Sequence, residues 1–272
     1  MQIITIAREF GALSNFDETT LCERLSLKLI NRALLEAKFK TFGFKEKLLE
    51  KLDEKHPRIL DSLTKKDDLY LETLKTIIFN EIPNTSCAIV GRGSNFILND
   101  IPGVLKIRFV APLDVRISNV AKAFDVSEKE AALLIKRSDR ERTGFCYYYF
   151  GENWDNSSNY DLVINTGFFN LEETIDILTK ALSTVDNQSI ENPLISDAIL
   201  KQNVKFNLFI KNNIEIQYRK IQCCNGTVKI AGNVSSNAAI TRIENILNSI
   251  PGVKNIENNL VAVLKDIPKR KE

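Results

Sequence analysis

Short apolar runs alternate with helical periodicity through the N-terminal part of the chain, and this alternation restricts the fold more than any other feature. The opening run Gln2 to Ala7 is rich in Ile and Thr and reads as a buried strand. "CAIVGRG" from Cys87, "VLKIRFVAP" from Val104 and "NYDLVINT" from Asn159 are similar runs, two of them ending in glycine or proline. Between them lie helical patterns such as "ETLKTIIFNEI" and "VSEKEAALLIKRSDRER", where Ser127 and Glu130 are spaced as a capping box. Leu21, Leu25 and Leu29 recur every four residues and predict one face of a further helix. Strands alternating with helices predict an α/β unit with a parallel sheet wrapped on both sides.

This unit is expected over residues 1–183, followed by the polar, aperiodic stretch "STVDNQSIENP" as a linker over 184–193. After the linker the pattern changes. "LISDAILKQNVKFNLF" predicts an amphipathic helix, "NIEIQYRKI" and "TVKIAGNV" two strands, "NAAITRIENILNSI" a helix and "VKNIENNLVAV" a last strand. That makes a small α+β unit over 194–266, near the lower size limit for an independent core. The tail "KDIPKRKE" reads as a solvated end.

Composition narrows the function classes. A net charge of +2 implies no broad basic face for nucleic acid. No apolar stretch has the ~20 residues that a membrane helix needs, and no charged head with an apolar signal segment opens the chain. A cytoplasmic location is expected. Cys22, Cys87, Cys146, Cys223 and Cys224 are odd in number and form no CxxC pair, which indicates neither a disulfide framework nor a zinc site. The single histidine, His56, precedes a proline in a charged stretch and reads as a surface helix end, so a histidine-based triad is not expected.

A strand, a glycine-containing turn and a helix near the start form the setting of a phosphate-binding loop. The loops after Ala7, at Gly91-Arg92-Gly93 and around Arg137 fall on one rim, where parallel sheets bind ligands. The GRG turn admits two readings: a plain strand-ending turn, or a site where backbone and an arginine fork approach a phosphate. "KRSDRER", Lys136 to Arg142, is either a charged helix face or a lid whose arginines close over a triphosphate.

Taken in order, "ITIAREFG", "DEKHPRILDSL", "AIVGRGSNFIL", "GVLKIRFVAPLDVRI", "VSEKEAALLIKRSDRER" and "NYDLVINT" resemble the cytidylate kinase-like family, the branch whose first loop reads like "ISREFGSGG". The resemblance implies a P-loop kinase fold, ATP with Mg²⁺ as phosphoryl donor and a pyrimidine monophosphate such as CMP as acceptor. By the same resemblance Arg8, Gly11 and Ser14 would hold the donor's phosphates, and Thr19 or Thr20 would offer a hydroxyl to Mg²⁺. Arg92 would contact the acceptor's phosphate; Arg137, Arg140 and Arg142, with Asp139 in the same motif, would form the lid.

Two departures stand out. Where the family has "GSGG" this chain has "GALSNFDETT", which lacks those glycines and brings Asp17 and Glu18 to the helix start. A carboxylate there suits a helix N-cap and competes with an anion for the same amides. Weak binding of Mg²⁺-ATP is therefore expected, alongside a lid that keeps anion affinity. At "INRALL" the family's Asp-Arg-Glu set keeps only Arg32, flanked by Asn31 and Ala33. The alternative function is a kinase-fold protein without catalysis that senses a nucleotide or another anion. The C-terminal unit resembles a BON domain through "NGTVKIAGNVSS" and "IPGVKNIENNLVAV", which implies a module that binds a small ligand or mediates self-association.

Overall fold

The computed structural model describes residues 2–13, 17–46, 49, 65–185 and 193–263. Ser14, His56, "DEKHPRILDSL", most of the expected linker and the "KDIPKRKE" tail lie outside the described residues. The chain divides into two compact units, Met1–Ser189 and Ile190–Glu272.

Among the described residues the first unit is built on a five-stranded parallel sheet, the arrangement of the P-loop kinase fold. Its strands are β1 (Ile3–Arg8), β2 (Lys28–Ile30), β3 (Cys87–Val90), β4 (Val104–Val110) and β5 (Leu162–Asn165), in the order β2-β3-β1-β4-β5. β1 is central, with Ile6 opposite Val90 of β3 and Ile107 of β4. Its side chains are buried on both faces, which is why the run reads as continuously apolar rather than alternating. Helices α1 (Glu18–Arg24), α2 (Arg32–Thr41), α3 (Lys65–Glu81), α4 (Ser94–Ile97), α5 (Leu113–Phe124), α6 (Glu128–Phe150) and α7 (Leu171–Val185) join the strands. One core joins Ile4, Ile6, Leu21, Ile107, Phe109, Ile164 and Leu178.

The expected helical face Leu21-Leu25-Leu29 is corrected by the structure. α1 stops at Arg24, Leu25 is its C-cap, and Leu29 pairs with Ala88 as part of β2. Ser26 takes a left-handed φ of 54°, which turns the chain out of the helix, and Leu27 N then bonds back to Cys22 O at 2.8 Å. All three leucines still pack on the same core, so the spacing served packing and not helix continuity.

α6 begins at the expected capping box: Ser127 Oγ accepts from Glu130 N, while Glu130 reaches back to Ser127 N at 3.0 Å. It then runs unbroken to Phe150 and ends on Gly151 in the left-handed region. No helix among the described residues is long and apolar enough to cross a membrane.

The second unit carries α8 (Pro193–Lys205), β6 (Gln217–Cys224), β7 (Thr227–Val234), α9 (Asn237–Asn248) and β8 (Asn255–Ala262). β7 pairs antiparallel with β6 and parallel with β8, giving a small mixed sheet consistent with a BON domain. Asn225 and Gly226, both at positive φ, close the β6–β7 hairpin as a two-residue turn whose twist matches that of the strands. Val204, Leu208, Val228, Ile230, Ile243 and Leu247 form its core. Two boundaries differ from expectation: α8 gives way to a wider helical turn over Phe206–Lys211, and β6 starts at Gln217 rather than Asn213.

Candidate functional site

In the first unit the carboxyl ends of β1 and β3 open into a cleft of about 620 Å³. Arg8, Arg32, Arg92 and Arg142 line it, together with Glu18, Glu36 and Glu141. The sheet order explains the position, because the chain crosses from β3 over β1 to reach β4, which leaves a crevice beyond the strand ends.

Arg8 is the last residue of β1 and forms an ion pair with Glu18 of α1. Arg92 sits in a turn of three successive left-handed residues, with φ of 73° at Gly91, 55° at Arg92 and 64° at Gly93. A left-handed arginine costs of order 1 kcal/mol, and such strain concentrates at ligand-binding positions. The two glycines serve different needs. A Cβ on Gly91 would meet nothing within 4 Å, whereas one on Gly93 would enter the Phe150 ring. Arg92 reaches Glu36 of α2 at 3.9 Å and is largely shielded from solvent.

The "KRSDRER" arginines separate by their phase on α6. Arg142 faces the cleft, donates to Ser138 Oγ at 2.8 Å and lies 3.8 Å from Asp139. Arg137 and Arg140 are exposed, and Arg137 pairs with Glu141 at 2.7 Å. Burial and then the charge of Arg8 pull the Arg142 guanidinium down to about 10. Arg8 and Arg142 thus line the same cleft. Cys146 also lines the cleft, but burial pushes its thiol up to about 12, so it is no nucleophile at neutral pH.

The structure adds residues that the sequence reading did not single out. Glu9, directly after β1, accepts from Arg108 of β4 at 3.2 Å and from the Ala111 amide at 3.2 Å, and lies 3.4 Å from Arg116 of α5. Arg108 also donates to Asp155 at 2.7 Å and to the Trp154 carbonyl at 3.1 Å, with its guanidinium 4.4 Å from the Trp154 ring centre. Arg116 donates to Asp139 at 2.8 Å. Asp139 thus bridges Arg116 and Arg142, and Glu9 joins the first loop to β4 and α5. The signal in the sequence is an arginine inside the apolar run "VLKIRFVAP", which a buried strand tolerates only with a carboxylate partner.

The first loop, where described, spends its polar groups internally. A Cβ on Gly11, at φ 84°, would lie 2.8 Å from the Arg116 carbonyl, and Asn119 Nδ2 donates to Gly11 O at 2.9 Å. Ala12 is buried and its carbonyl accepts from Thr166 Oγ1. At the start of α1, Asp17 Oδ1 accepts from the Thr20 amide at 2.7 Å. That bond first, and then the Thr20 hydroxyl, hold the Asp17 carboxyl below its ordinary range. Thr19 is exposed. No cluster of metal-ligating side chains occurs among the described residues, and Thr20 is committed to Asp17. The described residues of this loop thus offer no carboxylate cluster for Mg²⁺.

Comparison with known proteins gives two family matches: the cytidylate kinase-like family over residues 3–167 and the BON domain over residues 196–263. A stretch of 80 residues is 40% identical to a cytidylate kinase of Sulfolobus acidocaldarius, covering 29% of this chain and 43% of that protein. Another match, 34% identical over 92 residues, is to a uronate isomerase of Corynebacterium glutamicum and covers 34% of this chain and 18% of that protein. The chain therefore spans less than half the length of either curated relative. Among solved structures, an uncharacterised protein from Eubacterium ventriosum superposes with a TM-score of 0.53 at 25% identity, covering 67% of this chain and 98% of that one.

Proposed function

Because the chain belongs to the cytidylate kinase-like family, we propose that its first unit transfers the γ-phosphoryl group of ATP to a pyrimidine nucleoside monophosphate held in the cleft. One observation carries this reading: Arg8 at the end of β1, Arg92 just past β3 and Arg142 of α6 line a single cleft beyond the carboxyl ends of the strands. Phosphoryl transfer needs little covalent help, and positioning with charge neutralisation supplies most of the catalysis. In this reading Arg92 holds the acceptor's phosphate, and Arg8 and Arg142 neutralise the transferring group. Asp139 positions Arg142 from behind. Arg137 and Arg140 would join them only if α6 turned about its axis.

The donor side is weak in the same reading. ATP would have to displace Asp17 from Thr20 and Glu18 from Arg8, so a high KM for ATP is expected. The commitment of Asp17 to the start of α1 also favours a second reading, a nucleotide- or anion-sensing protein without turnover. In either case the BON unit serves as a module for ligand binding or self-association, and ATP dependence would place the protein in the cytoplasm.

The test is ADP release from Mg²⁺-ATP with CMP, UMP and dCMP, using Arg142→Ala as the control for contaminating kinase. Acceptor-dependent turnover that disappears in the control supports the kinase. Absence of turnover with saturable CMP binding supports the sensor.

A further inference from the structure

We propose that Asn95 reads the part of the ligand beyond its phosphate, by donating from its carboxamide to an uncharged acceptor oxygen of the sugar or base. The proposal rests on the cleft being a ligand site. Asn95 lies three residues past Arg92, on α4, and lines the cleft while only 4% of its surface is exposed. Its Nδ2 is buried without a hydrogen-bond partner. A buried amide donor left unmade is costly, and native structures rarely keep one without a use. Because Asn95 lines the cleft, a bound molecule is the partner its amide nitrogen lacks.

The neighbouring groups limit what that molecule offers. The arginines of the cleft, led by Arg8, Arg92 and Arg142, suit the phosphate. A neutral carboxamide adds little against a dianion but discriminates well among uncharged groups, because a polar site rejects a ligand that leaves its donor unpaired. Glu36, one turn into α2, contributes a carboxylate to the same cleft and can accept from a sugar hydroxyl or a base amine. The expected ligand is a phosphate ester carrying an oxygen acceptor and at least one donor. The family's carboxylates missing at Asn31 and Ala33 are, on this view, partly replaced by Glu36, while Asn95 adds a donor.

Calorimetric titration of the full chain with CMP, ribose 5-phosphate and inorganic phosphate tests the proposal in wild type, Asn95→Ala and Asn95→Leu. Thermal unfolding serves as the fold control, and the nearly isosteric, uncharged leucine keeps the shape of the site while removing the donor. The expected result is a loss of about 10-fold or more in CMP affinity for both variants, with inorganic phosphate within twofold of wild type. A parallel loss for ribose 5-phosphate places the acceptor on the sugar; a loss confined to CMP places it on the base. Unchanged CMP affinity in both variants overturns the role of Asn95 and leaves the cleft reading standing. Equal losses for CMP and inorganic phosphate overturn it too, as they mark a structural residue. If wild type binds neither CMP nor phosphate, the cleft reading itself fails.

Discussion

Glu9→Gln should destabilise the first unit by about 2–3 kcal/mol, which follows from how the two arginines it serves are compensated. Arg108 and Arg116 are 5% and 9% exposed, and each faces Glu9 plus one other carboxylate. Removing the sole partner of a buried charge costs about 3–5 kcal/mol. Here Arg116 keeps Asp139, but the second partner of Arg108, Asp155, has a side chain 58% exposed and is well screened. Glutamine also preserves an oxygen for the Ala111 amide, which moderates the loss. Trp154, the chain's single tryptophan, stacks on Arg108 and reports on this network directly. With a urea slope of about 2 kcal/mol/M, the midpoint of the fluorescence transition should fall by about 1 M. Asp155→Asn, the control, should shift it far less. A Glu9→Gln shift no larger than the control's would refute the claim that Glu9 neutralises both arginines.

Three further outcomes are expected. Gly93→Ala, which pushes a methyl into the Phe150 ring, should cost about 2 kcal/mol or more by thermal unfolding, and Gly91→Ala only the ~1 kcal/mol of a left-handed alanine. Arg142, depressed to about 10, loses its proton in the folded chain before it would in the unfolded one. Folding stability should therefore gain from this group as pH rises through about 10, while sulfate or CMP binding weakens over the same range, and Arg142→Ala should abolish that step. Asp17→Asn keeps an equally good cap and removes the charge, so the unfolding midpoint should stay put while ATP affinity rises severalfold by calorimetry; unchanged affinity would show that the carboxylate does not compete.

Much of the architecture was legible because it is local. The capping box at Ser127 and Glu130 and the cap at Asp17 depend on residues three positions apart, and the apolar runs mark the strands at the centre of the sheet. The Leu21-Leu25-Leu29 spacing misled because one core is served by a helix and then by a strand, and periodicity alone does not record the break at Ser26. On α6 the helix itself was readable, but not which arginine turns inward. That phase is set by what packs beneath, here Ile135, Phe145 and Tyr149. The Glu9 network was hidden for another reason: Glu9 and Arg108 lie 99 positions apart, and only the sheet register brings them together.

Ion pairs in and behind the cleft define what binding there must accomplish. Arg8 is matched by Glu18, Arg92 and Arg32 by Glu36, and Arg142 by Asp139. An incoming phosphate does not meet bare cations; it exchanges places with carboxylates already present. The gain is the difference between a dianion with several acceptor oxygens and a monoanion tethered to the protein, a modest quantity when both are desolvated alike. If the proposed phosphate site is right, it should favour dianions over monoanions, bind them loosely and release them readily. A displaced carboxylate must also find new solvation or a new partner, and the opened Glu36 has one available in a ligand's hydroxyl or amine. Phosphate binding and recognition of the rest of the ligand are thereby coupled: the molecule that satisfies Glu36 and Asn95 lowers the cost of freeing Arg92, so inorganic phosphate alone should bind more weakly than its ester.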